Sequence, residues 1–562
     1  MVRSIRTARM KETLLIQTTM QRGALTIPSL VEYSRRMFPE ASIQTWTGES
    51  LRSQSFAEIA DTGAQIAHAL TKLGVERGDR VATFMWNNNE HQAIYAGVPS
   101  MGAVLHTLNL RLSPEQAVFI INHADDKVIF VDATVAPMLA AYLPGTPKVQ
   151  HVVVVNGPAD SITAPEGITV HQFDELIAGE PTTFEWPDID ENDAAVMCYT
   201  SGTTGDPKGV VYSHRSIYLH SLIVTTTMGM RLSNADKMLA IVPMFHVMSW
   251  GLPYAAMMCG ATLIMPDRFL QPEPLLQIMD AAKPTLAAAV PTIWAGVSAM
   301  LDAKPQDISH LREVVVGGAT VPPSMIKKFD SYGVTIIHAW GMTETSPLGT
   351  VARPPVSATE ENEFAYRVTQ GRFPSPVAAR LIGDDGTEQP WDGESAGELE
   401  VSGPWITGAY YDPAGNVTDE SKFNNGWLRT GDVATVTPDG FMTIVDRAKD
   451  MIKTGGEWIS SVELESIIAS NPTIVEATVV GVPDAKWDER PFVLAVVRSE
   501  EDADIDAQRK YLEDLVPKWQ IPERWSFVTE VPKTSVGKFD KKRVRKEYAD
   551  GDYTVLGEPD NG

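Results

Sequence analysis

Short apolar runs alternate with longer segments whose apolar residues recur at helical spacing. Runs at 127–131, 152–155, 238–242, 262–265, 314–316 and 334–337 are only a few residues long, the length of buried strands. This alternation predicts α/β layers built on mostly parallel sheets. Ligand sites in such sheets lie beyond the carboxyl ends of strands, so the loops after these runs are where chemistry is expected. Over residues 383–446 the pattern changes to short runs between Gly, Asp and Pro turns, which predicts a small β-rich subdomain. A compact unit follows, with a Gly455-Gly456 turn, a helix starting near Ser460 with Glu463 placed for a capping box, and strands at 475–480 and 492–497. The boundary between the two units is placed at residues 446–450.

At 562 residues the chain exceeds one hydrophobic core and should divide into domains. No uninterrupted apolar stretch approaches the ~20 residues needed to span a bilayer, which leaves at most a peripheral membrane contact. Forty-seven basic against 72 acidic side chains give a net charge of −25, which argues against nonspecific nucleic-acid binding. Two cysteines, Cys198 and Cys259, cannot build a disulfide framework, and a cytoplasmic location fits best. Residues 1–24 carry Arg3, Arg6, Arg9, Lys11 and Arg22 against Glu12 alone and read as an N-terminal extension, because the apolar run at 14–16 is too short for a signal peptide. A basic stretch from Lys533 to Lys546 reads mostly as a solvated helix face, with Lys538 set apart in a turn-like context.

The run at 194–199 leads into Tyr199-Thr200-Ser201-Gly202-Thr203-Thr204-Gly205-Asp206-Pro207-Lys208-Gly209. Glycines let backbone N–H groups approach phosphate oxygens, hydroxyls donate further hydrogen bonds, and Lys208 adds a compact positive charge. A polyphosphate suits this chemistry. The common nucleotide loop has glycine before its lysine and Ser or Thr after it, whereas Pro207 and Gly209 flank Lys208 here. A flexible linker is the plainer alternative, but it gives no reason for the strand-like run before the loop or for Val210-Val211-Tyr212 after it.

Further motifs follow in order: Pro243-Met244-Phe245-His246, Gly317-Gly318-Ala319, Trp340-Gly341-Met342-Thr343-Glu344-Thr345, Arg429-Thr430-Gly431-Asp432, Asp446-Arg447-Ala448-Lys449-Asp450 and Gly537-Lys538. Together they resemble the acyl-adenylate-forming enzymes, which include acyl-CoA synthetases, beetle luciferases and peptide-synthetase adenylation modules. Residues 102–132 look most like the fatty acyl-CoA synthetase branch. The resemblance implies a large α/β adenylation domain over 25–445, a hinge at 446–450 and a small mobile α+β domain over 451–562. It implies a two-step reaction: a carboxylate attacks the α-phosphate of ATP to release pyrophosphate, and a thiol then displaces AMP.

Residue roles follow from the same resemblance. Lys538 is the catalytic lysine, Glu344 a Mg2+ ligand with Thr200 as helper hydroxyl, and Lys449 the hinge. Thr200, Ser201, Gly202, Thr203, Thr204 and Lys208 hold phosphates, and Gly318, His338, Ala339 and Thr343 lie on the adenine and phosphate side. Asp432 accepts from the ribose hydroxyls, and Trp340, where the family usually has Tyr, stacks on adenine. Arg447, Lys449, Lys453 and Trp458 belong to the segment that swings. His246, Trp250 and Gly317 fall at the acyl site, Trp250 as the gate of a tunnel that Met244, Met248, Met257 and Met258 either line or merely pack beside. Taken singly, Asp432 reads equally well as a turn residue, Trp340 as core and His246 as a packed histidine. The implied ligands are ATP, Mg2+, coenzyme A as co-substrate and a medium- or long-chain fatty acid. A short or functionalised acid, or loading of a carrier protein, is the alternative, and a homodimer is plausible by analogy. A noncatalytic nucleotide-binding module is disfavoured because Lys208, Glu344, Asp432 and Lys538 are all present.

Overall fold

In the computed structural model, which describes residues 18–200, 207–415, 419, 421–455, 457–534 and 538–557, the apolar runs form the centres of two large sheets. Among these residues one sheet has seven strands, ordered Thr169–Gln172, His151–Val155, Asp126–Asp132, Arg80–Phe84, Val104–Thr107, Ala194–Tyr199 and Gly209–Ser213. Neighbours are parallel except the last pair, which is antiparallel with Tyr199 opposite Gly209. The glycine-rich loop therefore joins two antiparallel strands. Its Ser201, Gly202, Thr203 and Thr204 lie outside the described residues, as does most of the basic N-terminal extension.

The second sheet has a parallel half, bordered by the antiparallel edge strand Leu51–Ser55, and an antiparallel half. Ser42–Trp46, Thr262–Met265, Lys237–Ala240, Leu286–Ala289, Glu313–Val316 and Thr335–Gly341 lie side by side in parallel. Leu286–Ala289, at the middle of this run, is buried along its whole length, as a strand covered on both faces must be. Thr335–Gly341 belongs to both parts: it pairs parallel with Glu313–Val316 and, from Ala339 onward, antiparallel with Leu348–Val351. The antiparallel part continues through Gly371–Arg372, Phe441–Arg447, Trp427–Val436, Gly397–Ser402 and Ala378–Ile382, so the β-rich unit expected over 383–446 is there but starts earlier, at Gly371. The strand expected at 238–242 ends at Ala240, because the Ala240 and Val242 carbonyls turn to the Asn87 carboxamide instead of a neighbouring strand.

Helices cover these sheets. Phe56–Lys72 begins with a reciprocal cap, in which Ser55 Oγ accepts from the Glu58 N–H and the Glu58 carboxylate accepts from the Ser55 N–H. It crosses the buried helix Asn89–Ser100 so closely that a Cβ on Gly97 would lie 2.5 Å from Gly63 O. A smaller five-stranded sheet follows Asp450, made of Glu457–Ile459, Ile452–Thr454, Asp488–Val497, Ile474–Asp484 and Arg524–Phe527 among the described residues. It has its own core around Leu464, Val479, Val493 and Trp525. Its helix Ser461–Ala469 starts where expected, with Ser460 Oγ accepting from the Glu463 N–H at 3.0 Å. That helix start is moored to the large domain: the Ser461 N–H and Oγ donate to Asp446 Oδ2 at 2.5 and 2.7 Å. A carboxylate at a helix N-terminus also meets the positive end of the helix dipole. Among the described residues no helix is long and apolar enough to cross a membrane, and Cys198 and Cys259 are both free thiols.

The Gly63 and Gly97 contact gives a direct test of the packing. Gly97→Ala places a methyl group against rigid backbone and should cost about 1–3 kcal/mol, read as a lower melting temperature in scanning fluorimetry. An unchanged melting temperature would show that the helices stand further apart.

Candidate functional site

The carboxyl ends of strands from both large sheets converge on one region. Ala194–Tyr199 delivers Thr200, Glu313–Val316 delivers Gly317 and Gly318, and Thr335–Gly341 delivers the turn Thr343–Thr345 with Glu344 in it. Thr200 and Lys208 face one another at the mouth of the loop: the Thr200 N–H donates to Lys208 O at 2.9 Å, and the Lys208 N–H to Thr200 Oγ1 at 3.4 Å. Glu344 is buried, and the Tyr410 hydroxyl donates to its Oε1 at 2.8 Å. The same Tyr410 ring lies 4.7 Å from Lys208 Nζ, which also reaches Asp419 Oδ2 at 3.4 Å. Tyr410 thus couples the loop lysine to Glu344. It is held there because its neighbour Tyr411 donates its N–H to Gly209 O at 2.8 Å.

Asp432 lies in Trp427–Val436 directly opposite Arg447 of Phe441–Arg447 and is only 1% exposed. Arg447 Nε approaches its Oδ1 at 2.6 Å, and Trp340 Nε1 donates to its Oδ2 at 2.8 Å. Bonds of this kind to an ionised acceptor are roughly twice as strong as neutral ones. The Trp340 ring is pressed onto Gly349, where an added Cβ would fall 2.2 Å from Cζ3. Lys538 enters from the small domain, its Cε 3.9 Å from the position a Gly318 Cβ would take. The Thr534 N–H donates to Lys538 O at 2.7 Å, and the Lys538 N–H to Thr534 Oγ1 at 3.2 Å. Burial, reinforced by Arg447, pulls the Lys538 ammonium down to about 8, while Asp432 and Glu344 pull the other way.

Trp250 and Gly317 also meet: a Cβ on Gly317 would stand 3.4 Å from Trp250 Cη2. Trp250 is carried by an inverted turn, in which Val247, Met248, Ser249 and Trp250 have φ of +47°, +54°, +49° and +57°. Left-handed backbone costs about 1–2 kcal/mol for each non-glycine residue, and for a β-branched residue such as Val247 it is an outlier. Summed over the turn that is about 4–8 kcal/mol, a cost the surrounding structure must offset. Gly251, at φ +75°, ends the turn, and a side chain there would collide with the His220 imidazole. Met244, Met248 and Met257 are fully buried in the main core and Met258 packs against it. His246 is pushed down to about 4, first by burial and then by Lys538 and Arg111, and is neutral at physiological pH. Burial likewise takes His338 down to about 4.

The structure gathers Thr200, Lys208, Glu344, Asp432, Trp340, Arg447, Gly318 and Lys538 into one constellation and sets Trp250 with Gly317 and Ala339 beside it. Lys453 and Trp458 stand apart: they face each other across the hairpin of Ile452–Thr454 and Glu457–Ile459, with Lys453 Nζ 6.0 Å from the Trp458 ring, which is 47% exposed. Lys449 sits in the turn closed by the Asp450 and Met451 N–H groups on Arg447 O, at 2.9 and 3.0 Å. The basic stretch near the C-terminus is largely paired off, Lys533 with Glu476, Lys541 with Glu465, Arg543 with Glu547, Arg545 with Asp450 and Lys546 with Asp550. Sequence reading missed Tyr410, Asp419 and Arg111, and also the indole-to-Asp432 bond. A pair of aromatic residues in Gly408-Ala409-Tyr410-Tyr411, between a glycine and Asp412-Pro413, was the available signal for the first of these.

Residues 31–411 match the family of AMP-binding enzymes, and residues 463–538 match the AMP-binding enzyme C-terminal domain. The chain belongs to the AMP-binding enzyme family. It is 43% identical to a 3-methylmercaptopropionyl-CoA ligase of Ruegeria pomeroyi, with 94% of this chain and 98% of the relative covered. It is 42% identical to a medium-chain-fatty-acid–CoA ligase of Ectopseudomonas oleovorans, with 94% and 97% covered. Among solved structures it is similar to the anthranilate CoA ligase AuaEII in complex with anthranoyl-AMP, at a TM-score of 0.83 and 25% identity, covering 94% of this chain and 98% of that one. The AMP-binding match includes Lys208, Glu344 and Tyr410 and ends before strands Trp427–Val436 and Phe441–Arg447, so Asp432 and Arg447 lie between the two matched regions, and Lys538 closes the second.

Proposed function

We propose that this AMP-binding enzyme is an ATP-dependent acid–CoA ligase acting on a medium- or long-chain carboxylic acid. The observation that carries this reading is the placement of Lys538, half-buried and delivered by the small domain, beside Gly318 and within reach of the charges of Glu344, Asp432 and Arg447. In the first step a carboxylate oxygen bonds to the α-phosphorus, the bond to the bridging oxygen breaks, and pyrophosphate leaves. A carboxylic acid is already ionised near neutral pH, since its unperturbed pKa is about 4, so no strong base is required. Bringing two anions together requires positive charge in a water-poor site, and Lys538 and Lys208 supply it. In the second step the CoA sulfur bonds to the acyl carbon, AMP leaves and the thiol proton is lost.

The other residues fit around that centre. Among the described residues the Asp432 oxygens each accept one bond, and a carboxylate has about four lone-pair sites, which leaves capacity for ribose hydroxyls. Glu344 Oε2 has no hydrogen-bond partner among the described residues, and no cluster of three or more His, Cys, Asp or Glu suited to a metal occurs there. That donor set fits Mg2+, which takes few protein oxygens and completes its shell with phosphate and water. Glu344 and Thr200 would hold the ion, which when bound neutralises phosphate charge. Trp250 over Gly317 serves as the acyl-side wall, and the small domain pivots at Lys449 between the two steps. A second reading, a ligase for a functionalised acid, is favoured by the identity to the 3-methylmercaptopropionyl-CoA ligase.

Lys538→Ala should reduce acid-dependent pyrophosphate release by roughly 100- to 1000-fold while sparing the reaction of synthetic acyl-AMP with CoA. Equal loss in both assays would remove Lys538 from its assigned step, and absence of AMP production with every carboxylic acid tried would remove the function. Because Lys538 acts as a cation and its pKa is lowered to about 8, kcat/KM for adenylation should fall as pH rises through that value. Lys538→Arg should flatten this limb of the pH profile. Trp340→Phe, which deletes one donor to Asp432, should raise KM for ATP about tenfold with little change in KM for the acid.

A further inference from the structure

The inverted turn that carries Trp250 is held from a different layer of the molecule. Asn87 lies between strand Arg80–Phe84 and helix Asn89–Ser100 and is 4% exposed. Its carboxamide serves one segment: Nδ2 donates to Ala240 O at 3.0 Å and to Val242 O at 2.8 Å, and Oδ1 accepts from the Met244 N–H at 2.7 Å. From the same helix the Tyr95 hydroxyl donates to Met244 O at 2.6 Å. Val242 O also accepts from Ser249 Oγ at 2.6 Å, and Ser249 lies inside the inverted turn next to Trp250. One carbonyl is therefore shared between the anchor and the strained backbone. From Asn87 the line runs through Val242 O to Ser249, then along the chain to Trp250 and the contact with Gly317.

The energetics make this line more than packing. A run of left-handed, non-glycine residues has no local preference for its conformation, so the turn persists only where outside bonds fix both its entrance and its interior. Asn87 fixes the entrance, and Ser249 transmits that position to the interior. We propose that Asn87 is a positioning residue for acyl recognition: it sets where the Trp250 indole stands over Gly317, and through that the length of acyl chain the site accepts. The proposal rests on the reading of Trp250 as an acyl-side wall.

The test uses the full-length enzyme with a series of straight-chain carboxylic acids and compares Asn87→Ala, Ser249→Ala and Trp250→Ala, singly and combined. Asn87→Ala and Ser249→Ala should each raise KM for the preferred acid about tenfold, move the chain-length optimum in the same direction as Trp250→Ala, and leave KM for ATP within about twofold. In the Trp250→Ala background they should add little, because residues acting through one contact are not independent. The proposal falls if the two variants leave the acyl profile unchanged, shift KM for ATP as much as KM for the acid, or add fully to Trp250→Ala. If Asn87→Ala fails to fold, Ser249→Ala decides on the same criteria, since it removes only the hydroxyl relay. An acyl profile unaltered by Trp250→Ala would overturn the acyl-wall reading itself. A profile altered by Trp250→Ala but not by the other two would overturn only the role of Asn87.

Discussion

A lysine ammonium taken out of water keeps its proton only as far as nearby carboxylates compensate for the lost hydration. Lys538 sits near that balance point: burial and the Arg447 guanidinium push it toward neutrality, and Asp432 and Glu344 hold it charged. Each of those carboxylates is in turn fixed by a neighbour, Asp432 by Arg447 and Trp340, and Glu344 by Tyr410. Arg447 therefore works in two directions at once, opposing the charge on Lys538 while orienting the carboxylate that supports it. A bound polyphosphate would change this balance, adding negative charge where the protein has placed a marginally stable cation.

The fold was legible wherever burial on both faces left a continuous apolar run, as at 262–265 and 314–316, and wherever a run ended in a motif. The helix start at Ser460 was legible for a similar reason, since capping is local chemistry and shows in local sequence. The parts that escaped reading depend on distant partners. Tyr410 gains its meaning from Lys208 and Glu344, neither of which is near it in the chain. Asn87 stands in Asn87-Asn88-Asn89, a cluster that looks like nothing more than a helix cap. Asn88 is indeed that cap, accepting from the His91 N–H at 3.0 Å, while Asn89 Oδ1 accepts from the Thr45 hydroxyl. Three identical residues in a row thus do three unrelated jobs, and nothing in the sequence tells them apart.

The large sheets and the small sheet are joined by few but well-made contacts around Asp446 and Ser461, on either side of the turn that contains Lys449. The site is assembled across that junction, because Glu344 and Asp432 come from one side and Lys538 from the other. A net charge of −25 surrounds a centre that must take up anions, so the cations that matter are the few left inside, while most of the basic side chains near the C-terminus are matched to acidic neighbours.

The turn from Val247 to Trp250 reverses the ordinary rules of helix engineering. In a right-handed helix alanine is the best tenant and glycine nearly the worst; here the mirror-image backbone makes glycine the least strained occupant and gives alanine no advantage. Stabilisation schemes that score helical segments by propensity would choose the wrong residues at every one of these positions.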